Sequence, residues 1–257
     1  MLNSKSKKFP NGIANSSGVL GHYLMDHVYN AGASGRIEGY HDEFYSGRRP
    51  TGTYIPNFQF EPSKYKKHYK RGYALSGGAD RNNWKGAGYA DGIGANFKQQ
   101  LTQAGDWHFG LHAQGEMLPR FDNQVSLHET KKDKWGIPQL HINCQWSDNE
   151  KLMMQDAEQT AKDMLEKAGL KDVRSYTSID RNAPGLAIHE VGTARMGKDP
   201  KDSVLNAYNQ THDIPNLFVT DGSSFCSSAV VNPSLTFMAL TVRAVDYAVK
   251  EMKAKRI

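Results

Sequence analysis

The feature that most constrains this chain is a glycine-rich loop followed by a predicted strand, an acidic turn and a helix. The loop is His-Glu-Val-Gly-Thr-Ala-Arg-Met-Gly at residues 189–197. Residues 217–220 are typical of a short buried strand, which ends at Asp-Gly-Ser in residues 221–223. A helix predicted to begin at Asn232 and Pro233 comes next. This order of elements suits a ligand that carries phosphates, a ribose and negative charge.

The last helix is predicted from its apolar spacing and its ends. Asn232 is a favoured N-cap, and Pro233 fits the first helical position, where no amide donor is needed. The start of the helix would carry roughly half an elementary positive charge, which stabilises a negatively charged ring. An ordinary amphipathic helix with a good cap is the alternative. The apolar stripe consists of Leu235, Met238, Val242, Val245, Val249 and Met252.

His189 is the candidate base. An alcohol oxidation needs a group that takes the hydroxyl proton while the carbon-bound hydrogen leaves as hydride. Imidazole has an unperturbed pKa of about 6.5, which suits this work. Asn232 is neutral and polar, and it can hold the substrate oxygen without competing for its proton. The alternative is that His189 is a hydrogen-bonded loop residue.

Three segments near the C-terminus resemble the glucose-methanol-choline (GMC) family of FAD-dependent oxidoreductases. They are residues 189–197, Val-Thr-Asp-Gly-Ser at 219–223 and Asn-Pro-Ser-Leu-Thr at 232–236. Upstream, residues 17–27 resemble the family's loop before the substrate domain, and residues 115–125 resemble its Glu-x-x-Pro-x-x-x-Asn-x-Val strand and turn. The likeness runs in order from about residue 14 to the end of the chain.

The resemblance implies a reaction. His189 would be the catalytic base, Asn232 would hold the second position of the pair, and hydride would pass to the flavin N5. Asparagine followed by Pro-x-x-Thr is similar to the pyranose-oxidising and sterol-oxidising branches and to bacterial sugar dehydrogenases. The expected function is oxidation of the CH–OH group of a sugar or related alcohol. A non-catalytic carbohydrate-binding or interaction module derived from the same fold is the alternative.

The resemblance also implies FAD as the cofactor and assigns its contacts. Asp221 and Gly222 match the turn beside the ribityl and phosphate portion of FAD. Asn232, Pro233 and Thr236 match the contact with the isoalloxazine ring.

The family's dinucleotide fingerprint, Gly-x-Gly-x-x-Gly between a strand and a helix, is absent from this sequence. The nearest imitation, residues 86–92, has the wrong spacing, and we interpret it as a polar loop. We therefore expect the C-terminal portion of a GMC protein. Its partners would be a sugar or alcohol substrate and either the missing N-terminal FAD-binding segment or a separate electron-acceptor protein.

The middle of the chain alternates between apolar and polar residues, which predicts strands. In residues 107–116 the polar face carries Gln114 and Glu116, which we expect to contact substrate hydroxyls; a plain solvent-facing side is the alternative. Residues 140–146 alternate with Leu140 and Ile142 on the apolar face, and Tyr54, Phe58 and Phe60 indicate another strand. A helix is predicted over residues 150–168, with a capping box at 147–150 and Gly169 at its end.

The alternating segments predict an α+β fold with an antiparallel sheet and helices. The resemblance implies that this sheet binds the substrate and that the remainder is the C-terminal part of a Rossmann-like FAD-binding domain. The expected segments are 1–30 as a remnant of the FAD-binding domain with the family loop, 31–183 as the sheet domain, and 184–257 as the FAD-binding part with the catalytic motifs.

Charge and cysteine content do not indicate a nucleic-acid-binding, metal-binding or disulfide-stabilised protein. The net charge is +5, and we interpret the basic run at residues 64–71 as a solvated loop face rather than a nucleic-acid site. Cys144, expected in the core, and Cys226 form no metal-ligand spacing and no disulfide framework. The sequence predicts no membrane span and no signal peptide, and it leaves the compartment open.

Overall fold

An antiparallel sheet and two long helices dominate the computed structural model, which describes residues 1–41, 52–59, 68–81, 91–103, 105–179 and 182–257. The described strands are β1 (His27–Val28), β2 (Ala31–Ile37), β3 (Gly52–Ile55), β4 (Tyr73–Arg81), β5 (Trp107–Glu116), β6 (Gln124–Lys132), β7 (Pro138–Asn143) and β8 (Lys171–Thr177). The described helices are α1 (Gly94–Thr102), α2 (Asp148–Lys167) and α3 (Ser234–Lys253), and a 3-10 turn covers Gly222–Ser224.

The chain divides into two units. The first contains residues 1–28, 116–150 and 182–257, and the second contains residues 29–115 and 151–181. The structure therefore groups residues 116–150 with both termini, whereas the sequence placed them in the segment 31–183. The assignment of substrate binding and FAD binding to these parts stays a prediction.

The second unit is built on strands in the order β3-β4-β5-β2-β8, with antiparallel pairing throughout. The predicted alternation on β5 is confirmed at its centre, where Leu111 and Ala113 are buried and His112 is exposed. Tyr54 lies in β3, whereas Phe58 follows that strand in coil and Phe60 lies outside the described residues.

Helix α2 has the predicted capping box. Ser147 donates from its backbone N to Glu150 Oε2 at 2.7 Å, so the carboxylate satisfies an amide at the start of the helix. The sequence predicts an apolar stripe of Leu152, Met153, Ala157, Ala161, Met164 and Leu165 on this helix. The prediction is wrong at Leu152, which is 41% exposed, while Met154 is buried instead. Positions 152 and 154 are about 200° apart around a helix, so Leu152 lies on the side opposite to the buried residues. The buried residues of α2 in the second unit are Met153, Met154, Ala157, Ala161 and Leu165.

A carboxylate on α2 is bonded by two buried tyrosines of the same unit. Tyr69 and Tyr73 donate from their hydroxyls to Asp156 Oδ2 at 2.6 and 2.8 Å. Burial raises the pKa of both phenols, and the nearby Asp156 carboxylate raises each further. Both hydroxyls are therefore held in the protonated form by the folded state.

The first unit contains more residues outside helices and strands than the second unit does. The predicted strand at 217–220 is wrong as a regular strand: Phe218 makes one isolated bridge with Gln210, and these four residues are half-buried. The strand predicted from the alternation at residues 140–146 corresponds to β7, which ends at Asn143 and pairs with β6. Leu140 and Ile142 on its apolar face are 62% and 60% exposed. Within the described ranges β7 pairs only with β6, and the exposure of Leu140 and Ile142 shows that its apolar side is largely uncovered. Cys144 lies just after β7 and is half-buried rather than in the core.

Helix α3 is apolar on two sides. One side packs within its unit through Phe237, Leu240, Ala244 and Tyr247, of which Ala244 is fully buried. The predicted stripe lies on the other side, and all six of its members are 42 to 78% exposed. A helix that is apolar on both sides is typical of one buried between two layers. The short helix α1 was not predicted, because it has no buried residues and hence no apolar stripe to detect.

The tyrosine pair predicts a steep loss of stability at alkaline pH. A phenol whose pKa is raised by folding stabilises the protein fully below its ordinary value of 10.0, and this contribution is lost as the pH rises above it. We expect Tyr69→Phe combined with Tyr73→Phe to flatten the dependence of the free energy of unfolding on pH between about pH 9 and 11. The change should approach about 1.4 kcal/mol per pH unit for each hydroxyl.

Urea unfolding at several pH values measures this slope. Tyr54→Phe is the matched control, because Tyr54 is 52% exposed, and it should keep the slope of the unmodified chain. An equally steep slope in the double variant would contradict the assignment.

Candidate active site

The carboxylate of Asp26 organises the loop that leads to His189. It is 1% exposed. Its Oδ2 accepts from the backbone N of Gly185 at 2.8 Å and of Ala187 at 3.1 Å. Its Oδ1 accepts from the backbone N of His189 at 3.2 Å and of His27 at 2.7 Å. One buried charge therefore fixes both the 185–189 loop and the start of β1 through charge-assisted hydrogen bonds.

The ring of His189 lies beside the ring of His27. Their Nδ1 atoms are 3.0 Å apart, and the rings meet edge to face with centroids 4.9 Å apart. His27 is fully buried, and its Nε2 lies 3.0 Å from the carbonyl oxygen of Ser228. Burial lowers the pKa of His27 below 6.5, and His189 adds to the lowering, whereas the Ser228 carbonyl and Asp26 act in the opposite direction. His27 is therefore neutral at neutral pH.

The rest of the glycine-rich loop is an irregular segment that is hydrogen-bonded on both sides. Towards residues 21–25, Val191 and Met25 exchange two backbone bonds of 2.9 Å. Towards the 3-10 turn, Gly192, Ala194 and Met196 donate to the carbonyls of Gly222, Ser223 and Ser224. Three sequence segments that resemble the family are thus neighbours in space.

Gly192 is required for this arrangement. Its φ is +93°, and a Cβ there would lie 2.1 Å from the carbonyl oxygen of Tyr23. Both the left-handed conformation and the close approach exclude a larger residue without rearrangement.

The acidic turn opens on a cleft of about 690 Å³ in the same unit. Asp221 Oδ1 accepts from the backbone N of Ser223 at 2.8 Å, which caps the 3-10 turn. Polar groups of Thr193, Asp221 and Ser223 line one part of the cleft, and the rest of its wall is largely apolar. A cleft of this size and composition suits part of a large organic ligand. The apolar lining consists of Leu20, Val125, Leu127, Leu140, Leu217, Phe218 and Val219, among others.

The start of α3 lies one residue later than predicted. Pro233, not Asn232, is the N-cap, because the Pro233 carbonyl accepts the first helical bonds from Thr236 N at 3.0 Å and Phe237 N at 3.2 Å. No side chain caps this end. The first amides of a helix have no acceptor within the helix. Those of Ser234 and Leu235 are therefore the natural donors to a ligand.

The remaining predicted residues are placed as follows. Asn232 and Thr236 are exposed, and Pro233 is buried. Glu116 is 7% exposed in the first unit, and Gln114 is half-buried on β5 in the second. Glu116 is thus buried and Gln114 partly exposed, and their substrate contacts stay a prediction.

Sequence reasoning missed the roles of Asp26 and His27. Both lie in the segment 17–27 that resembles the family loop, so the signal was present as an adjacent acid and histidine. Their partners in the loop 185–189 lie 159 to 163 residues further along the chain, and a local sequence pattern does not reveal such a contact.

Within the described ranges, no helix has the length and apolar character needed to cross a membrane. Among the same residues, no group of three or more His, Cys, Asp or Glu side chains is arranged to hold a metal ion.

Comparisons with known proteins give a consistent result. A family model described as GMC oxidoreductase matches residues 119–241. A 2-methyl-1,2-propanediol dehydrogenase of Mycolicibacterium austroafricanum is 32% identical over 260 residues, covering 96% of this chain and 45% of that protein. The fructose dehydrogenase large subunit of Gluconobacter japonicus is 25% identical over 256 residues, covering 98% of this chain and 45% of that protein. The chain thus spans about half the length of these relatives.

Among solved structures, formate oxidase of Aspergillus oryzae RIB40 matches with a TM-score of 0.56 and 16% identity. The match covers 92% of this chain and 48% of that chain. It concerns the fold alone: a mixed α+β architecture with an antiparallel sheet, as in the C-terminal half of GMC oxidoreductase structures.

The Asp26 clamp predicts a large effect on stability. Asp26→Asn would replace an accepting oxygen with an amide NH₂ that faces backbone N–H groups. We expect a loss of about 1.5–3 kcal/mol or more in the free energy of unfolding, the range for bonds to a charged group. Urea unfolding of the chain measures it. Asp213→Asn is the control, because Asp213 accepts from Ser16 in an exposed hydrogen bond. Equal effects of the two substitutions would contradict the clamp.

Proposed function

Because the chain belongs to the GMC oxidoreductases, whose C-terminal domain matches residues 119–241, we propose that it forms the catalytic portion of an FAD-dependent enzyme. The proposed reaction is oxidation of the CH–OH group of a sugar or related alcohol. The observation that carries the proposal is the geometry of His189, whose loop is clamped by Asp26 and whose ring is held by His27. The relatives named above, which by their names act on a diol and on fructose, support this class of substrate.

His189 takes the hydroxyl proton in the proposed mechanism. Its half-buried ring lies at the start of the loop, with backbone and Nδ1 both held. Asn232 supplies a neutral polar group that orients the substrate oxygen. FAD, when bound, supplies the acceptor for the hydrogen that leaves carbon with its electron pair. Glu116 and Gln114 are the proposed contacts to the remaining hydroxyls.

The residues present fit part of FAD. The uncapped start of α3 offers amides and positive potential to the electron-rich edge of the ring system. The exposed Asp221 carboxylate at the edge of the cleft can accept from ribityl hydroxyls, and Gly222 follows it in the turn. We assign the ring contact to Asn232, Pro233 and Thr236 and the ribityl and phosphate contact to Asp221 and Gly222. These two sites leave the adenine and most of the pyrophosphate to be bound by other residues.

The exposed face of α3 supports a covering layer. Its six apolar side chains include Leu235 at 78% and Val242 at 71% exposure. Relatives that match this chain are about twice as long. We propose that an N-terminal nucleotide-binding segment packs on this face and completes a Rossmann-like FAD-binding domain.

One observation favours a second function, a non-catalytic carbohydrate-binding module. In the second unit a hollow of about 600 Å³ is lined by Ser76, Asp80, His108, His112 and Tyr176. These side chains offer donors and acceptors that suit sugar hydroxyls. Such a module would bind a sugar without any turnover that depends on His189.

Replacing the base tests the proposal. His189→Ala in the protein supplemented with its N-terminal segment should lower kcat by roughly 10²–10⁴, the reach of general base catalysis. FAD should stay bound, because no proposed FAD contact is removed. His68→Ala is the control, because His68 is exposed in the second unit. Near-normal turnover of the His189 variant would remove this residue from the mechanism.

The chain alone should bind FAD poorly. It offers contacts to the ring and ribityl portions only, and each missing charge-assisted bond is worth roughly 1.5–3 kcal/mol. Affinity should therefore fall by several orders of magnitude relative to the protein with its N-terminal segment. The exposed face of α3 should also cause association.

Titration with FAD followed by gel filtration measures both effects. Val242→Lys with Val245→Lys should reduce association without improving FAD binding. A yellow chain with stoichiometric FAD after gel filtration would contradict the proposed division of the site.

A further inference from the structure

We propose that His27 is a positioning residue for His189, which it holds in the tautomer that carries hydrogen on Nδ1 and a free electron pair on Nε2. Only the statement that this electron pair acts as the catalytic base rests on the proposed function. The tautomer itself follows from contacts of this chain. The segment 17–27 would therefore contribute to the reaction by orienting the His189 ring.

The first step concerns the hydrogen on His27. Its Nε2 lies 3.0 Å from the carbonyl oxygen of Ser228, which can only accept. Nε2 of His27 therefore carries hydrogen. The ring is fully buried, which disfavours a second proton although Asp26 lies nearby. A neutral imidazole with hydrogen on Nε2 has its electron pair on Nδ1.

The second step concerns the hydrogen between the two rings. The Nδ1 atoms of His27 and His189 are 3.0 Å apart, a distance that requires one hydrogen between them. His27 Nδ1 is the acceptor, so His189 Nδ1 donates. The electron pair of a neutral His189 is then on Nε2, since the partner of one ring nitrogen sets the state of the other.

The third step concerns how the two rings are kept together. Asp26 Oδ1 accepts from the backbone N of both His27 and His189. The same oxygen therefore fixes the spacing of the two backbones, and the Nδ1–Nδ1 bond fixes the rotation of the His189 ring. A histidine held at both points loses less freedom on reaching the reactive geometry than a histidine on a free loop.

Two variants of His27 separate positioning from packing. In His27→Gln the amide oxygen can accept from His189 Nδ1 while the amide NH₂ donates to Ser228, so the pattern of donor and acceptor is kept. In His27→Leu a side chain of similar bulk fills the space without an acceptor. A role in packing alone would favour leucine at this fully buried site.

The first readout is the tautomer, which needs neither FAD nor activity. Long-range ¹H–¹⁵N correlation spectra of the ¹⁵N-labelled chain distinguish a protonated ring nitrogen from one with an electron pair, and His189→Ala assigns the signals. We expect His189 to carry hydrogen on Nδ1 in the unmodified chain and in His27→Gln. In His27→Leu the hydrogen should shift wholly or partly to Nε2.

The second readout is turnover with the N-terminal segment and FAD present. His27→Leu should lower kcat by about 10- to 100-fold, the usual range when a partner that orients a functional imidazole is removed. His27→Gln should recover most of this loss, and KM should change little because no proposed substrate contact is altered.

The outcomes are distinct. Hydrogen on Nε2 of His189 in the unmodified chain overturns the inference, and so does an unchanged tautomer in His27→Leu. If His27→Leu does not fold, the unmodified chain and His27→Gln still decide it through the same spectra. A tautomer as expected, combined with full turnover of His189→Ala, supports the positioning by His27 and refutes the base role of His189 instead.

Discussion

The buried carboxylate of Asp26 is the interaction on which the site depends. A charge without partners would be costly at 1% exposure, but four backbone N–H groups satisfy this one. Because those groups come from residues 27 and 185–189, the carboxylate joins two parts of the chain about 160 residues apart. Removing it would leave donors without an acceptor in the loop that holds His189, the proposed base. The stability of this loop and the geometry of His189 therefore have the same physical origin.

The irregular segment after His189 connects the Asp26 clamp to the cleft through backbone hydrogen bonds. Residues 191–196 form hydrogen bonds to residues 21–25 on one side and to the turn Gly222–Ser224 on the other. The close approach that excludes a side chain at Gly192 is what permits both sets of bonds. His189, the proposed base, lies at one end of this segment and the Asp221 turn lies beside it, and backbone hydrogen bonds hold both. This gives a physical reason why motifs scattered along the sequence act as one site.

The sequence predicted the features that depend on local pattern. The capping box of α2, the alternation at the centre of β5 and the histidine-led loop can each be detected within ten residues or fewer. The errors arise where the outcome depends on distant contacts. Residues 217–220 have the composition of a strand but form only one isolated β-bridge, between Phe218 and Gln210. Leu140 lies on the apolar face of β7 as its alternation predicts, but this face is largely uncovered. The pairing of His27 with His189 spans 162 residues, so only the structure reveals it. The α1 helix has no apolar stripe that a pattern could detect.

Helix α3, which is apolar on two sides, connects the proposed cofactor site at its start with the exposed apolar face. Fully burying one large aliphatic side chain is worth about 1.5–3 kcal/mol, so six partly exposed ones represent several kcal/mol of unrealised stabilisation. The end of α3 that offers its amides to a ligand belongs to this same helix, and no side chain caps it. A layer that covers the stripe therefore also restricts the motion of the helix start. A binding site formed by a rigid helix end loses less conformational freedom when its ligand binds. The affinity of the proposed isoalloxazine contact at the start of α3 is therefore coupled to the packing of the helix.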